Sequence, residues 1–95
     1  MLRHIVLWNL KDGEKKENAL KIKAILEALK DCIEEIVEIK VHINELATSN
    51  MDIMLDSLFE NEEALGAYKI HPEHVLAGEF ISKVTHNRVA FDFIV

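Results

Sequence analysis

Histidine, tyrosine and cysteine are the side chains here that could do acid–base, ligand or nucleophile chemistry, and they are few: five His, one Tyr and one Cys. The densest grouping is Tyr68-Lys69-Ile70-His71-Pro72-Glu73-His74. His71 and His74 stand three apart, and Glu73, Glu79 or His4 would have to join them to give the three or four convergent ligands of a zinc site. The intervening proline means that this is not a helical i, i+3 pair by default, so the expectation is no metal. Cys32 has no partner for an internal disulfide, and on a helical pattern a small buried thiol is the simplest reading. A glycine-rich phosphate loop, a Gly-x-Ser-x-Gly elbow and a paired-cysteine motif are all missing, so nucleotide and serine-hydrolase chemistry have no support.

Each of these residues also has a purely structural reading. Tyr68 shares an apolar stripe with Ala64 and Leu65, as a core tyrosine would. His71 and His74 bracket a proline turn, where imidazoles serve as helix caps. His4 lies in a strand apolar on both faces and reads as a satisfied core histidine, whereas His42 and His86 read as ordinary surface positions. Trp8 supplies core or interface area, or a pocket wall.

The elements that must position these residues follow from the apolar period, which switches several times along the chain. Leu2 to Leu10 is apolar at both parities and reads as a central strand. From Glu14 to about Ile33 the positions Ala19, Ile22, Leu26, Leu29 and Ile33 recur at helical spacing, entered through Asp12-Gly13. Ile36 to Asn44 alternates, with Val37, Ile39, Val41 and Ile43 on one side, and Met51 to Phe59 alternates after a turn at Glu45 to Asn50. Asn61 is placed to cap a second helix that runs to about Ile70, with Glu62 and Glu63 at the positive end of its dipole. Pro72 breaks it and restarts the chain in a first turn, after which Val75, Leu76, Phe80, Ile81 and Val84 suggest another helical stretch. Val89, Phe91, Phe93 and Val95 mark a last strand from Arg88 to Val95.

Strand-helix-strand-strand-helix-strand is the order of a ferredoxin-like βαββαβ α+β sandwich, with helices on one face of an antiparallel sheet. The other sheet face keeps large apolar side chains, and a patch of that kind is what soluble monomers avoid. The expectation is a homodimer made by facing sheets, each chain being one domain over residues 1–95.

Composition sets the outer limits. Ninety-five residues of which 49% are hydrophobic, with three Gly and one Pro, suit one folded domain. Eleven basic against seventeen acidic side chains give a net charge of −6, which disfavours nucleic acid as a partner. The apolar runs fall far short of the roughly 20 residues that span a bilayer, so no membrane segment is expected. Met1-Leu2-Arg3-His4 runs straight into a strand without the features of a secretion signal, and the expected location is the cytoplasm.

Three segments carry a resemblance: Arg3-His4-Ile5-Val6-Leu7-Trp8, Ala67-Tyr68-Lys69-Ile70-His71-Pro72-Glu73-His74, and Arg88-Val89-Ala90-Phe91-Asp92-Phe93. Together they resemble the stress-responsive dimeric α/β-barrel family, called Dabb, over essentially the whole chain, with Tyr-x-x-His-Pro-x-His the most specific part. The resemblance implies a ferredoxin-like protomer that pairs with a twin to close a barrel, and a pocket in each protomer. Some members resemble olivetolic acid cyclase, polyketide cyclases that act without a cofactor; others are plant stress proteins or have no assigned activity.

By that resemblance the catalytic roles fall on Tyr68 and His74, with His4 nearby; His4, His71 and Trp8 are read as further lining of a pocket for a small apolar or polyketide-like ligand. An intramolecular aldol needs a base for a carbon acid and a donor for the enolate oxygen. Neutral histidine and protonated tyrosine meet those needs near pH 7. Two rivals remain open at this point. A cofactorless monooxygenase would have to use Trp8, Asn9 and His74, and a non-catalytic binding or stress protein would have its pocket closed or filled by apolar side chains.

Overall fold

Alternating burial along Leu2–Leu10 (β1) sorts its side chains into two rows: Leu2, His4, Val6, Trp8 and Leu10 are buried, while Arg3, Ile5, Leu7 and Asn9 are half-covered. In the computed structural model, which describes Met1 to Val95, the buried row faces the helices. The elements that follow are α1 (Lys15–Ala28), a 3₁₀ turn (Leu29–Asp31), β2 (Glu38–Ile43), β3 (Ile53–Phe59), α2 (Glu62–Ile70), α3 (Pro72–Val84) and β4 (Thr85–Ile94). The four strands form one antiparallel sheet in the order β2-β3-β1-β4. This is the ferredoxin-like α+β sandwich expected from the element order.

Register explains how the core closes. Leu2 faces Phe59, His4 faces Ser57, Val6 faces Leu55 and Trp8 faces Ile53, so one continuous row runs across the two central strands beneath the helices. Val41 extends it onto β2 opposite Leu55. From above, α1 contributes Ala19, Ile22 and Leu26, α2 contributes Leu65 and Tyr68, and α3 contributes Ala77 and Ile81. Glu38, Lys40 and His42 alternate outward on β2, giving the wet side expected for that strand.

Local signals set the ends of the helices. Gly13 (φ 88°) and Glu14 (φ 47°) turn the chain into α1, and the first of these conformations is one that glycine adopts at no steric cost. Asn61 Oδ1 accepts from the Ala64 amide at 2.9 Å and caps α2 as its type and position predict. Pro72 opens α3 at its first turn, and His71 has extended dihedrals (φ −61°, ψ 133°), as a residue before proline must.

Three expectations need correction here. Regular helix in α1 stops at Ala28 and tightens into a 3₁₀ turn, which keeps Leu29 and Ile33 inside but swings Cys32 outward, so the thiol is exposed and not buried. On α3, Val75 and Leu76 point to solvent, while Ile81 is buried as expected and is joined by Ala77. The last strand begins at Thr85, ahead of its apolar run, because a bulge is built into it: Leu7 pairs with Val89 and Asn9 with His86, so β4 spends one residue more than β1 over this stretch. Asn87, at φ 55°, absorbs that residue in a left-handed conformation that asparagine tolerates better than most side chains.

The sheet face away from the helices carries Ile5, Leu7, Met54 and Leu58 beside an outward row on β4. Val89, Phe91 and Phe93 of that row are 51%, 65% and 38% exposed, and the two phenyl rings lie 6.0 Å apart. Arg3 sits at one end of this face, bonded to Asp56 at 2.6 Å with Glu38 at 3.8 Å.

Candidate functional site

Where the ends of α2 and α3 cross the β1–β4 edge, the helices leave a cavity of about 380 Å³. Its floor is the inner row of β1, namely His4, Val6 and Trp8, with Leu55 of β3 alongside. Tyr68 of α2 and His74, Gly78 and Ile81 of α3 form the roof, and His86, Asn87 and Arg88 of the β4 bulge form the rim. Glycine in a helix interior costs about 0.5–1 kcal/mol relative to alanine. At Gly78 the missing Cβ would meet nothing within 4 Å, so its absence enlarges the cavity.

The proline break determines how the roof is arranged. Because α2 ends at Ile70 and α3 restarts at Pro72, Tyr68 on the last turn of one helix comes over His74 on the first turn of the next, with ring centroids 4.3 Å apart. His4 approaches the same tyrosine from the floor, edge-on at 6.4 Å. Three of the residues singled out from sequence thus converge, with Trp8 beside them.

Each ring has one side fixed. His4 Nδ1 lies 2.5 Å from Asp92 Oδ1, its register partner on β4. His74 Nδ1 lies 3.0 Å from the Lys69 carbonyl, an acceptor only, so that nitrogen carries the proton and donates it. In the neutral form, the Nε2 lone pair of His74 is then free, and the same follows for His4 when Nδ1–H donates to the carboxylate. Burial holds both histidines below the usual imidazole pKa of 6.5, and it outweighs the opposing pull of Asp92 on His4 and of the Lys69 carbonyl on His74.

Tyr68 is fully buried, and its hydroxyl is the one occluded side-chain oxygen or nitrogen without a hydrogen-bond partner in the protein. Burial pushes its pKa up to about 12, so the phenol keeps its proton across the neutral range. An unsatisfied buried hydroxyl costs on the order of 1–3 kcal/mol.

The structure separates other candidates from this centre. His71 does not line the cavity: its Nδ1 accepts from the Glu73 amide at 3.1 Å, so it caps α3. The His71–His74 pair is correspondingly split between two backbone partners, and no group of three His, Cys, Asp or Glu side chains converges anywhere. His86 is not an ordinary surface position, because the bulge brings it to the rim. A somewhat larger depression, about 440 Å³, lies around His42 and the 44–52 loop; it lacks a tyrosine and any convergent histidine pair, so the chemistry is assigned to the smaller cavity.

Asp92 and Arg88 gain roles that sequence reading did not give them. A visible signal for Asp92 was a lone carboxylate inside the apolar run Val89 to Val95. For Arg88 the only signal was its positive charge in an acidic chain, since the bulge that sets its position is invisible to periodicity.

Fold and cavity together define a ferredoxin-like α/β-barrel protomer with a histidine–tyrosine pocket between sheet and helices. The chain belongs to the stress responsive A/B barrel domain family, Dabb, whose sequence pattern matches residues 2–95. It is similar to a dimeric protein of unknown function with a ferredoxin-like fold from Bacteroides fragilis, at 33% identity and TM-score 0.85, covering 97% of this chain and 93% of that one. It also resembles a dimeric ferredoxin-like protein of unknown function from Thermobifida fusca, at 26% identity and TM-score 0.87 over 99% and 90% of the two chains. A hydroxynitrile lyase from Passiflora edulis shares the fold at 16% identity and TM-score 0.86, covering 99% and 92%. No curated protein matches the sequence. No helix is long and apolar enough to cross a membrane.

Proposed function

We propose that this protein is a homodimer with one small-molecule pocket per protomer, in which His74 and Tyr68 catalyse cofactor-independent proton transfer next to a carbonyl, as a polyketide cyclase requires. The observation that carries this reading is the unpartnered Tyr68 hydroxyl, buried in a cavity wall against a histidine whose proton is committed elsewhere. In this scheme His74 Nε2 removes a proton from a carbon flanked by two carbonyls, and the Tyr68 hydroxyl donates to the enolate oxygen that forms. That enolate then attacks a third carbonyl further along the same molecule, closing a ring; the imidazolium returns its proton to the new alkoxide, so no external oxidant or reductant is consumed. His4, held by Asp92, presents a second neutral ring to the same substrate. An open cavity lined by polar groups favours this reading over a binding protein with a filled pocket.

The dimer rests on the exposed row Val89, Phe91 and Phe93 and on the dimeric state of the two bacterial relatives. Contiguous apolar area of this kind marks an interaction surface. The exposed free thiol of Cys32 suits a reducing compartment, and the cytoplasm is the proposed location.

Exchange of the methylene protons of ethyl acetoacetate in D₂O, followed by NMR, tests the chemistry without knowledge of the natural substrate. Acceleration above that of an equal concentration of free imidazole, lost in His74→Gln, is the expected result. A rate no greater than that of imidazole would overturn the reading.

A further inference from the structure

The rim of the cavity has a charge opposite to that of the molecule. In a chain of net charge −6, none of the side chains lining this cavity is a carboxylate, whereas Arg88 is one of them. Asp92 stands behind His4 and is occupied by its ring nitrogen. The other arginine, Arg3, is taken up by Asp56 and Glu38 on the far face of the sheet, but the Arg88 guanidinium makes no ion pair or hydrogen bond with any group of the protein.

Its position is also constructed. Asp92 and Ala90 pair with His4 and Val6 on the helix-side row of β4, and Arg88 continues that parity, two residues before Ala90. The extra residue of the bulge falls next to it, with Asn87 in the left-handed region, and bulges of this kind re-aim side chains at sheet edges. Arg88 lines the same cavity as His4, Tyr68 and His74. With Lys69, it also helps keep both histidines neutral.

The geometry points to Arg88 as an anion clamp: the substrate of this pocket is a carbonyl compound that carries a carboxylate, and Arg88 binds that carboxylate at the rim while the reacting carbon lies between His74 and Tyr68. This assignment rests on the proton-transfer reading for the second half only. The planar guanidinium matches a carboxylate in a two-point hydrogen-bonded fork, which lysine reproduces as a charge but not as a fork.

Acetylpyruvate and its methyl ester form a test pair that differs by the carboxylate charge and one methyl group. Binding is followed through the indole NH signal of Trp8, the single tryptophan and a wall of the cavity. Wild-type protein should bind the acid about tenfold tighter than the ester. Arg88→Gln should abolish that preference by weakening the acid far more than the ester, and Arg88→Lys should keep part of it. Equal binding of acid and ester by the wild type, an equal loss of both in Arg88→Gln, or no perturbation of Trp8 by the acid would each overturn the assignment. Binding is read without turnover, so the two readings fail separately. A charge preference without proton exchange in ethyl acetoacetate rejects the catalytic reading alone, and exchange without a charge preference rejects the clamp alone.

Discussion

His4 and Asp92 are register partners on neighbouring strands, and their side chains meet at 2.5 Å on the helix side of the sheet, beneath the ring of Tyr68. The carboxylate selects the tautomer of His4 with its proton on Nδ1, leaving Nε2 as the free nitrogen. Asp92 also raises the His4 pKa against the stronger lowering by burial.

Asp92→Asn should therefore lower the His4 pKa further and release the ring from a single tautomer. Two-bond ¹H–¹⁵N NMR correlations of the imidazole read both effects directly. Proton exchange should fall by roughly ten- to a hundredfold if His4 shares in proton transfer. An unchanged His4 titration in Asp92→Asn would show that the contact does not govern the ring.

Tyr68→Phe should uncouple stability from activity. Because its hydroxyl is buried without a partner, removing the oxygen should leave stability unchanged or raise it by up to about 1 kcal/mol in urea melts. Loss of the enolate donor should slow exchange by roughly a hundredfold. A marked loss of stability in Tyr68→Phe would mean that the hydroxyl is satisfied in the folded protein and is not held ready for a ligand.

Local chemistry made much of this architecture legible, and long-range register made the rest opaque. The Asn61 cap and the Pro72 restart are decided within a few residues, so side-chain type and spacing were enough to place α2 and α3. The alternation in β2 and β3 similarly fixed which side chains face the helices. The partner of His4 lies 88 residues away, and nothing in either strand alone states that the two will be opposite each other. Arg88 was opaque for a related reason, since one extra residue in β4 shifts its pairing with β1 without disturbing the apolar period on either side. Cys32 misled because the helical stripe continues through Leu29 and Ile33 while the backbone changes to a 3₁₀ turn.

Acid should weaken both the chemistry and the fold through the same two rings. His4 and His74 have folded-state pKa values below 6.5, so between that value and their lowered ones the unfolded chain binds more protons than the native protein. Stability then rises with pH across this interval; it is fully present above about 6.5 and lost as pH falls through the lowered values. Urea midpoints should drop between pH 7.5 and about pH 5, above the range where carboxylates titrate. In His74→Gln the drop should be smaller. Exchange activity should hold across neutral pH and fall on the acid side as Nε2 becomes protonated. No loss from Tyr68 ionisation is expected below about pH 10, because its pKa is pushed up to about 12. A pH-independent urea midpoint over the same interval would contradict the burial of neutral imidazoles.

Pairing of sheets predicts a different response at the opposite face. Phe91 is 65% exposed and lies between Val89 and Phe93 on the outward row of β4, opposite Ile5 of β1, so two copies laid face to face would cover one another's largest apolar side chains. Placing a carboxylate there would leave it desolvated and unpaired in the dimer, at a cost of several kcal/mol, but would cost the monomer little because the position is open to water. Light scattering should show wild-type protein as a dimer at micromolar concentration and Phe91→Asp as a monomer with an unchanged far-ultraviolet circular dichroism spectrum. His42, on the same face but at the distant β2 edge and already polar, serves as the control, and His42→Gln should remain dimeric. A monomeric wild type would remove the sheet-to-sheet dimer. A dimeric Phe91→Asp would move the interface elsewhere, for instance to the exposed Val75 and Leu76 side of α3.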